Sequence, residues 1–179
     1  MISMLRGVNV GGHNMIKMTE LSALHETLGF RSVKTYVNSG NVVFATTERD
    51  PAKLGKKIEA AIEKEFGFRV DVVLRSGDEL RKVIARNPFA KRDNINPGKL
   101  LVVFLGSDPG KAARDAVSRI EAPPEELVPI GQEIYIYFPD GQGRTKLKWT
   151  HVEKAINKIP WTGRNWNTVM KLAEMAEKR

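Results

Sequence analysis

Three short polar segments of the chain carry the side chains best suited to holding an anion. Arginine can fork onto a phosphate or carboxylate, lysine supplies charge, and Asn and Ser can orient a ligand by hydrogen bonding. The segments fall where strands or helices are expected to begin or end, which is where binding sites are normally built. They predict one site for a small anionic ligand, nucleotide-like or phosphate-like. Its candidate residues are Arg6, Asn9, Lys17, Ser39, Asn41, Arg164, Asn165 and Asn167.

The first segment, residues 5–14, places three glycines after an apolar strand. Backbone N–H groups of a glycine-rich loop can bind phosphate, and Arg6, Asn9 and Lys17 lie beside these glycines. The spacing matches neither the dinucleotide fingerprint nor the P-loop, because GxGxxG and GK[ST] are both missing. A tight connection that needs glycine for positive φ is the alternative interpretation.

The second segment, residues 36–41, is typical of a hairpin turn, since Asn and Gly favour that conformation. Ser39 and Asn41 can still present a hydroxyl and an amide to a ligand. A serine nucleophile would need a partner base, and the sequence places no histidine to serve Ser39.

The third segment, residues 162–169, is expected at a helix N-terminus, where free N–H groups and the helix dipole favour anions. Its Asn and Thr residues are also ordinary capping residues. Arg164 is harder to explain by capping, because a cation is unfavourable at a helix N-terminus. An anion held between Arg164 and the start of the helix would explain it.

The elements that must position these loops indicate an α+β protein with two ferredoxin-like α/β-plait halves. Residues 1–75 read as βαββαβ, the order of a ferredoxin-like plait. The expected strands are 2–8, 33–37, 41–45 and 70–74, with helices over 19–28 and 51–66.

Residues 76–179 read as a second plait-like domain, less regular, with βαββα order and an extra helix at each end. A capping box at 76–79 opens the first of these helices. Residues 100–105 form a central strand, and 126–138 form a hairpin about Gly131 and Gln132. Two C-terminal helices, around 150–158 and 165–177, are separated by residues 159–161.

Composition excludes several classes of function. The 179 residues contain no cysteine, which removes disulfides, thiolate metal sites and a catalytic thiol. His13, His25 and His151 are scattered without metal-ligand spacing, so no metal and no cofactor is expected, and His25 is expected near the surface. No apolar run approaches the ~20 residues that span a membrane, and the N-terminus does not resemble a secretory signal. A cytoplasmic location without membrane partners is the expectation.

Charge leaves other functions open. Lys and Arg number 29 against 21 Asp and Glu, a net charge of +8, which favours phosphates and nucleic acids. Arg144, Lys146 and Lys148 would share one face of a strand, as phosphate contacts require, although a solvated face explains them as well. Tyr135 and Tyr137 are the nearest approach to an aromatic RNA-binding pattern. The alternatives are thus a nucleic-acid-binding module, an enzyme acting on a small substrate at the same three loops, or a structural or partner-binding protein.

The three segments, taken together, resemble the signature blocks of the bacterial family catalogued as domain of unknown function 1697. The resembling blocks are residues 5–12, 36–44 and 164–169, with Asn87-Pro88-Phe89 as a further match. The resemblance covers essentially the whole chain. It implies two α/β-plait-like domains and brings no established activity with it.

Overall fold

Each half of the fold is built on a four-stranded antiparallel sheet with helices packed against it. The computed structural model describes residues 1–177, which divide into two units: Met1–Leu80 with the chain from Lys171 onward, and Arg81–Met170. The strands are β1 Ile2–Leu5, β2 Arg31–Tyr36, β3 Asn41–Ala45, β4 Val72–Arg75, β5 Leu100–Leu105, β6 Glu126–Ile130, β7 Glu133–Tyr137 and β8 Trp161–Asn165. The helices are α1 Met18–Thr27, α2 Pro51–Phe66, α3 Gly77–Ala85, α4 Gly110–Ser118, α5 Trp149–Ala155 and α6 Trp166–Glu177.

The first unit is a ferredoxin-like plait with strand order β2-β3-β1-β4. Central β1 pairs antiparallel with β3 and β4, and α1 and α2 are the two crossover helices. The core contains Leu5, Val42 and Phe44 from the sheet, with Leu21 of α1 and Ile58 of α2. Burial of these apolar side chains is the main favourable term that holds the unit together.

Local signals in the sequence set the ends of α2 and the start of α3. The Asp50 carboxylate accepts hydrogen bonds from the N–H groups of Ala52 and Lys53, and Gly67 ends α2 in the left-handed conformation. At α3 the predicted capping box is confirmed, because Ser76 N donates to Glu79 Oε2 at 2.7 Å and Glu79 N donates to Ser76 Oγ at 3.1 Å. Both caps satisfy N–H groups that a helix leaves unpaired.

The second unit has the same topology, with strand order β6-β7-β5-β8 and element order βαββαβ. The prediction of two ferredoxin-like halves in an α+β chain is confirmed. The division into residues 1–75 and 76–179 stays a prediction.

Strand β8 was not predicted from the sequence. It pairs antiparallel with β5, from Leu105 opposite Trp161 to Leu101 opposite Asn165. Its Thr-Gly-Arg-Asn composition is typical of a turn or cap, and only the hydrogen bonds offered by β5 make it a strand. Strand formation depends on such neighbours more than on residue preference.

The basic run before α5 is not a strand, so the shared strand face considered for its cations does not form. Residues Gln142–Arg144 form a 3-10 turn, and α5 begins at Trp149. Leu147 is buried, whereas Lys146 and Lys148 on either side are exposed. One apolar anchor between two solvated lysines accounts for the alternation.

No helix within residues 1–177 has the length and apolar character needed to cross a membrane.

His25 lies in the core of the first unit, and its expected surface position was wrong. Its ring contacts Phe30 and Phe44, with centroids 5.9 and 5.4 Å away. Nδ1 lies 2.9 Å from the Leu21 carbonyl oxygen, so it carries the proton and donates, while Nε2 lies 3.2 Å from Ser3 Oγ and accepts. Burial lowers the pKa of His25 from 6.5 to about 4.

Acidification is therefore expected to destabilise the protein through His25. Between the ordinary pKa of 6.5 and about 4, the unfolded chain binds a proton that the folded core resists. The contribution of neutral His25 to the free energy of unfolding is complete above the ordinary pKa of 6.5. It falls by roughly 3 kcal/mol as the pH drops through this window.

Urea unfolding of His25→Gln at pH 7 and pH 4.5 measures this dependence. We expect the variant to be less stable at pH 7 and to lose less stability than the wild type on acidification. His151→Gln, at an exposed histidine, is the control and should keep the wild-type dependence. An unchanged pH dependence in His25→Gln would contradict the assignment.

Candidate functional site

A groove of about 620 Å³ in the first unit runs between the β1–α1 loop and helix α2. Arg6, at the end of β1, is the predicted binding residue that lines it. The groove residues are Arg6, Gly7 and Asn14 of the loop, Lys56, Glu59, Ala60 and Glu63 of α2, and Arg69, Val70 and Asp71 before β4.

Most of the charged side chains in the groove already have partners. Arg6 Nη1 lies 3.6 Å from Asp71 Oδ2, and Arg69 Nε lies 2.8 Å from Glu63 Oε1. Lys56 differs, because its ammonium has no ion-pair or hydrogen-bond partner within residues 1–177. The groove therefore offers a partly exposed guanidinium and an unengaged ammonium to a ligand.

Helix α2 supplies one wall of the groove because its two faces differ. Leu54, Ile58 and Ile62 are buried in the core of the unit. Lys56, Ala60 and Glu63 fall at i, i+4 and i+7 and so share another face of the same helix. The N-cap and the left-handed C-cap set the ends of α2, and the buried stripe sets its rotation.

The loop wall is shaped by Asn9, whose side chain bonds to the far end of its own loop and to the β2–β3 turn. Its Nδ2 donates to the carbonyl oxygens of Ile16 and Asn38, each at 2.9 Å, and its Oδ1 accepts from Ile16 N at 2.8 Å. Asn9 also has a positive φ of 56°. Its amide thus joins the loop to the β2–β3 turn, and both of its donors are engaged within the protein.

The β2–β3 turn lies against the end of β1 at Gly40. Leu5 N donates to the Gly40 carbonyl oxygen at 2.9 Å. A Cβ atom at Gly40 would lie 2.6 Å from Val8 Cγ2 and 2.8 Å from Leu5 Cβ, and φ is 73°. Both the close approach and the positive φ require glycine here.

Ser39 and Asn41 contact each other in this turn. The Asn41 side-chain amide donates to Ser39 Oγ at 2.9 Å and to the Tyr36 carbonyl oxygen at 3.1 Å, and Asn41 is fully buried. These bonds brace the hairpin turn. Lys17, by contrast, is an exposed residue that precedes α1 and pairs with Glu20 at 3.5 Å.

The third predicted segment belongs to the second unit. Arg164 lies on β8 rather than at a helix start, and it is buried, with 7% of its surface exposed. Its Nη1 donates to Thr162 Oγ1 at 2.7 Å and to the Gly163 carbonyl oxygen at 2.8 Å. Burial lowers the pKa of Arg164 from its usual value to about 10. The guanidinium therefore stays charged at neutral pH and is bonded to its own strand.

Asn165 caps α6, because its Oδ1 accepts from Thr168 N at 2.9 Å. Asn167 is exposed on the first turn of that helix. Capping thus explains Asn165 in structural terms and leaves Asn167 open to solvent.

Ser3 and His25 form a hydroxyl–imidazole pair of the type that activates serine nucleophiles. Both side chains are fully buried in the core, so a substrate has no access to the hydroxyl. The pair was missed in the sequence because residues 3 and 25 meet only through packing of α1 on β1.

Sequence reasoning also missed the groove residues outside the loop. Lys56, Glu59 and Glu63 read as the solvated face of an amphipathic helix, Arg69 read as part of a loop, and Asp71 read as part of the strand at 70–74. The available signal was the i, i+3, i+7 spacing of charges on α2, but spacing does not show what lies opposite.

The two tyrosines of β7 are not available for base stacking. Tyr135 is fully buried and Tyr137 is 9% exposed. The Tyr135 hydroxyl donates to the Val83 carbonyl oxygen at 2.7 Å, and burial, with the nearby charge of Glu133, raises its pKa.

Within residues 1–177 there is also no cluster of His, Asp and Glu able to hold a metal ion.

Comparison with known proteins identifies the family. The profile of the family described as a protein of unknown function, DUF1697, matches residues 1–135. The chain belongs to this family. The expected family resemblance is thereby confirmed, although the third polar segment lies beyond the matched residues.

A solved structure shows the same fold. The chain is similar to the conserved bacterial protein SP0830 from Streptococcus pneumoniae, with a TM-score of 0.69 and 24% identity, over 98% of this chain and 97% of that one. At that identity the likeness establishes the fold alone. A comparison with curated proteins found no match.

Replacing Asn9 is expected to loosen the loop wall. Asn9→Ala removes three side-chain hydrogen bonds and should lower the free energy of unfolding by about 2–3 kcal/mol. Asn14→Ala is the matched control, because Asn14 also has positive φ, 49°, but donates one side-chain bond, to Gly7, at 3.2 Å. Equal losses for the two variants in urea unfolding would contradict the role given to Asn9.

Replacing Gly40 is expected to separate the turn from β1. Gly40→Ala combines a positive φ with two overlapping contacts, so it should lower the free energy of unfolding by more than about 3 kcal/mol. Gly12→Ala has a similar φ of 78° with nothing within 4 Å of the added Cβ, so it should cost about 1 kcal/mol. Thermal unfolding compares the two, and a similar cost for both would show that the close approach is unimportant.

Proposed function

We propose that this protein binds a small anionic ligand in the groove between the β1–α1 loop and α2. The observation that carries the proposal is that Arg6 of the loop and Lys56 of α2 both line one groove. Arg6 can fork onto a carboxylate or phosphate, and Lys56 supplies a second positive charge without having to leave another partner.

The size of the groove supports a small ligand. Its volume of about 620 Å³ lies within the range of ordinary small-molecule sites. The loop wall is held by the Asn9 amide and by the approach of Gly40 to β1, so the position of Arg6 is fixed before a ligand arrives. A wall that is already ordered costs less conformational entropy on binding.

The other predicted residues have two kinds of proposed role. Asn9, Ser39 and Asn41 act by holding the loop and the turn in place, which their hydrogen bonds within the first unit support. Lys17 and Asn167 are exposed but are not among the residues that line the groove, so their contact with a ligand stays a prediction.

For Arg164 and Asn165, a ligand contact is also proposed, although their hydrogen bonds within the second unit favour a positioning role. A cytoplasmic location is part of the same proposal.

The alternatives have less support. Nucleic-acid binding rests on the net charge of +8, but the tyrosines that would stack on bases are buried. For an enzyme, the groove supplies carboxylates that can act as acid or base. No Ser, Thr, Cys or His is among the residues that line it, so these common nucleophiles and bases are missing from the groove.

Isothermal titration tests the proposal with inorganic phosphate, pyrophosphate, mononucleotides, small dicarboxylates and amino acids as probes. We expect saturable binding of at least one probe and roughly tenfold weaker binding in Lys56→Gln, from loss of a charge-assisted hydrogen bond. Lys64→Gln, an exposed position on the same helix outside the groove, is the control with the same change of charge. Equal weakening in both variants would show diffuse electrostatics instead of a site.

A further inference from the structure

We infer that the ligand of this groove is a zwitterion of the amino-acid or short-peptide class, with an anionic and a cationic group close together. This inference rests on the proposed function and adds a cationic group to the proposed anionic ligand. It follows from which charged side chains of the groove form ion pairs with each other and which do not.

The groove residues include three cations and three carboxylates, so their charges balance. Arg6 pairs with Asp71, and Arg69 pairs with Glu63. The remaining pair is Lys56 and Glu59. Neither has an ion-pair partner within residues 1–177, although they lie three residues apart on α2.

Glu59 is held in a way that leaves it able to bind a cation. Its Oε1 accepts a hydrogen bond from Val72 N at 3.0 Å, which ties the carboxylate to the start of β4. The second oxygen keeps its acceptor capacity, because a carboxylate has about four lone-pair sites. A multiply charged phosphate would be repelled by this fixed carboxylate, whereas an ammonium would be attracted.

The spacing on α2 suits a compact zwitterion. Residues at i and i+3 have Cβ atoms about 5–6 Å apart, so a carboxylate at Lys56 and an ammonium at Glu59 belong to one small molecule. Ala60 follows Glu59 on the same wall and has only a methyl side chain. The groove thus has room beside both charges for the remainder of the ligand.

Isothermal titration with the twenty amino acids and a set of dipeptides tests this inference. We expect at least one of them to bind, and its N-acetylated and C-amidated forms to bind roughly tenfold more weakly, because each lacks one charge. Glu59→Gln should weaken binding of the free zwitterion and leave binding of its N-acetylated form unchanged. Glu65→Gln, exposed on the same helix outside the groove, should change neither.

The outcomes separate this inference from the proposed function. If phosphate or a dicarboxylate binds and Lys56→Gln weakens it while no zwitterion binds, the inference is wrong and the anion site stands. If no probe binds saturably, both are wrong. Ala60→Phe fills the groove without changing charge at an exposed helix position, so zwitterion binding that persists in this variant would overturn the assignment to the groove.

Discussion

The side-chain amide of Asn9 is the interaction on which the loop wall of the candidate site depends. It bonds both to the far end of its own loop, at Ile16, and to the β2–β3 turn, at Asn38. A loop with glycines at positions 7, 11 and 12 has high conformational freedom in the unfolded chain. The three bonds of Asn9 limit that freedom and so fix the groove wall formed by Gly7 and Asn14.

Helix α2 contributes both to the core of the first unit and to the candidate site. Its buried stripe packs on the sheet, and this contact fixes the directions in which Lys56 and Glu59 project into the groove. The groove is therefore a consequence of core packing: a helix held by Leu54, Ile58 and Ile62 cannot rotate without exposing apolar surface to water.

Local sequence signals predicted most of the regular elements. Capping at Asp50 and the capping box at Ser76 and Glu79 involve residues adjacent in the chain, so residue type is enough to find them. Family membership and the ferredoxin-like order of the first half were likewise readable, because both follow from short blocks and hydrophobic periodicity. Strand β8 was not, since its partner β5 lies some sixty residues away in the chain.

The sequence by itself determined the α+β class, the capped helices, the turn at Gly40 and the prediction that Arg6 belongs to a binding site. Tertiary structure alone decided that His25 is buried against Ser3, that Arg164 bonds to its own strand, and that Lys56 and Glu59 line a groove opposite the glycine loop. The physical reason is the separation along the chain between the residues that interact. Caps and turns are decided by neighbours a few residues apart, whereas burial and charge pairing depend on which distant segments the packed core brings together.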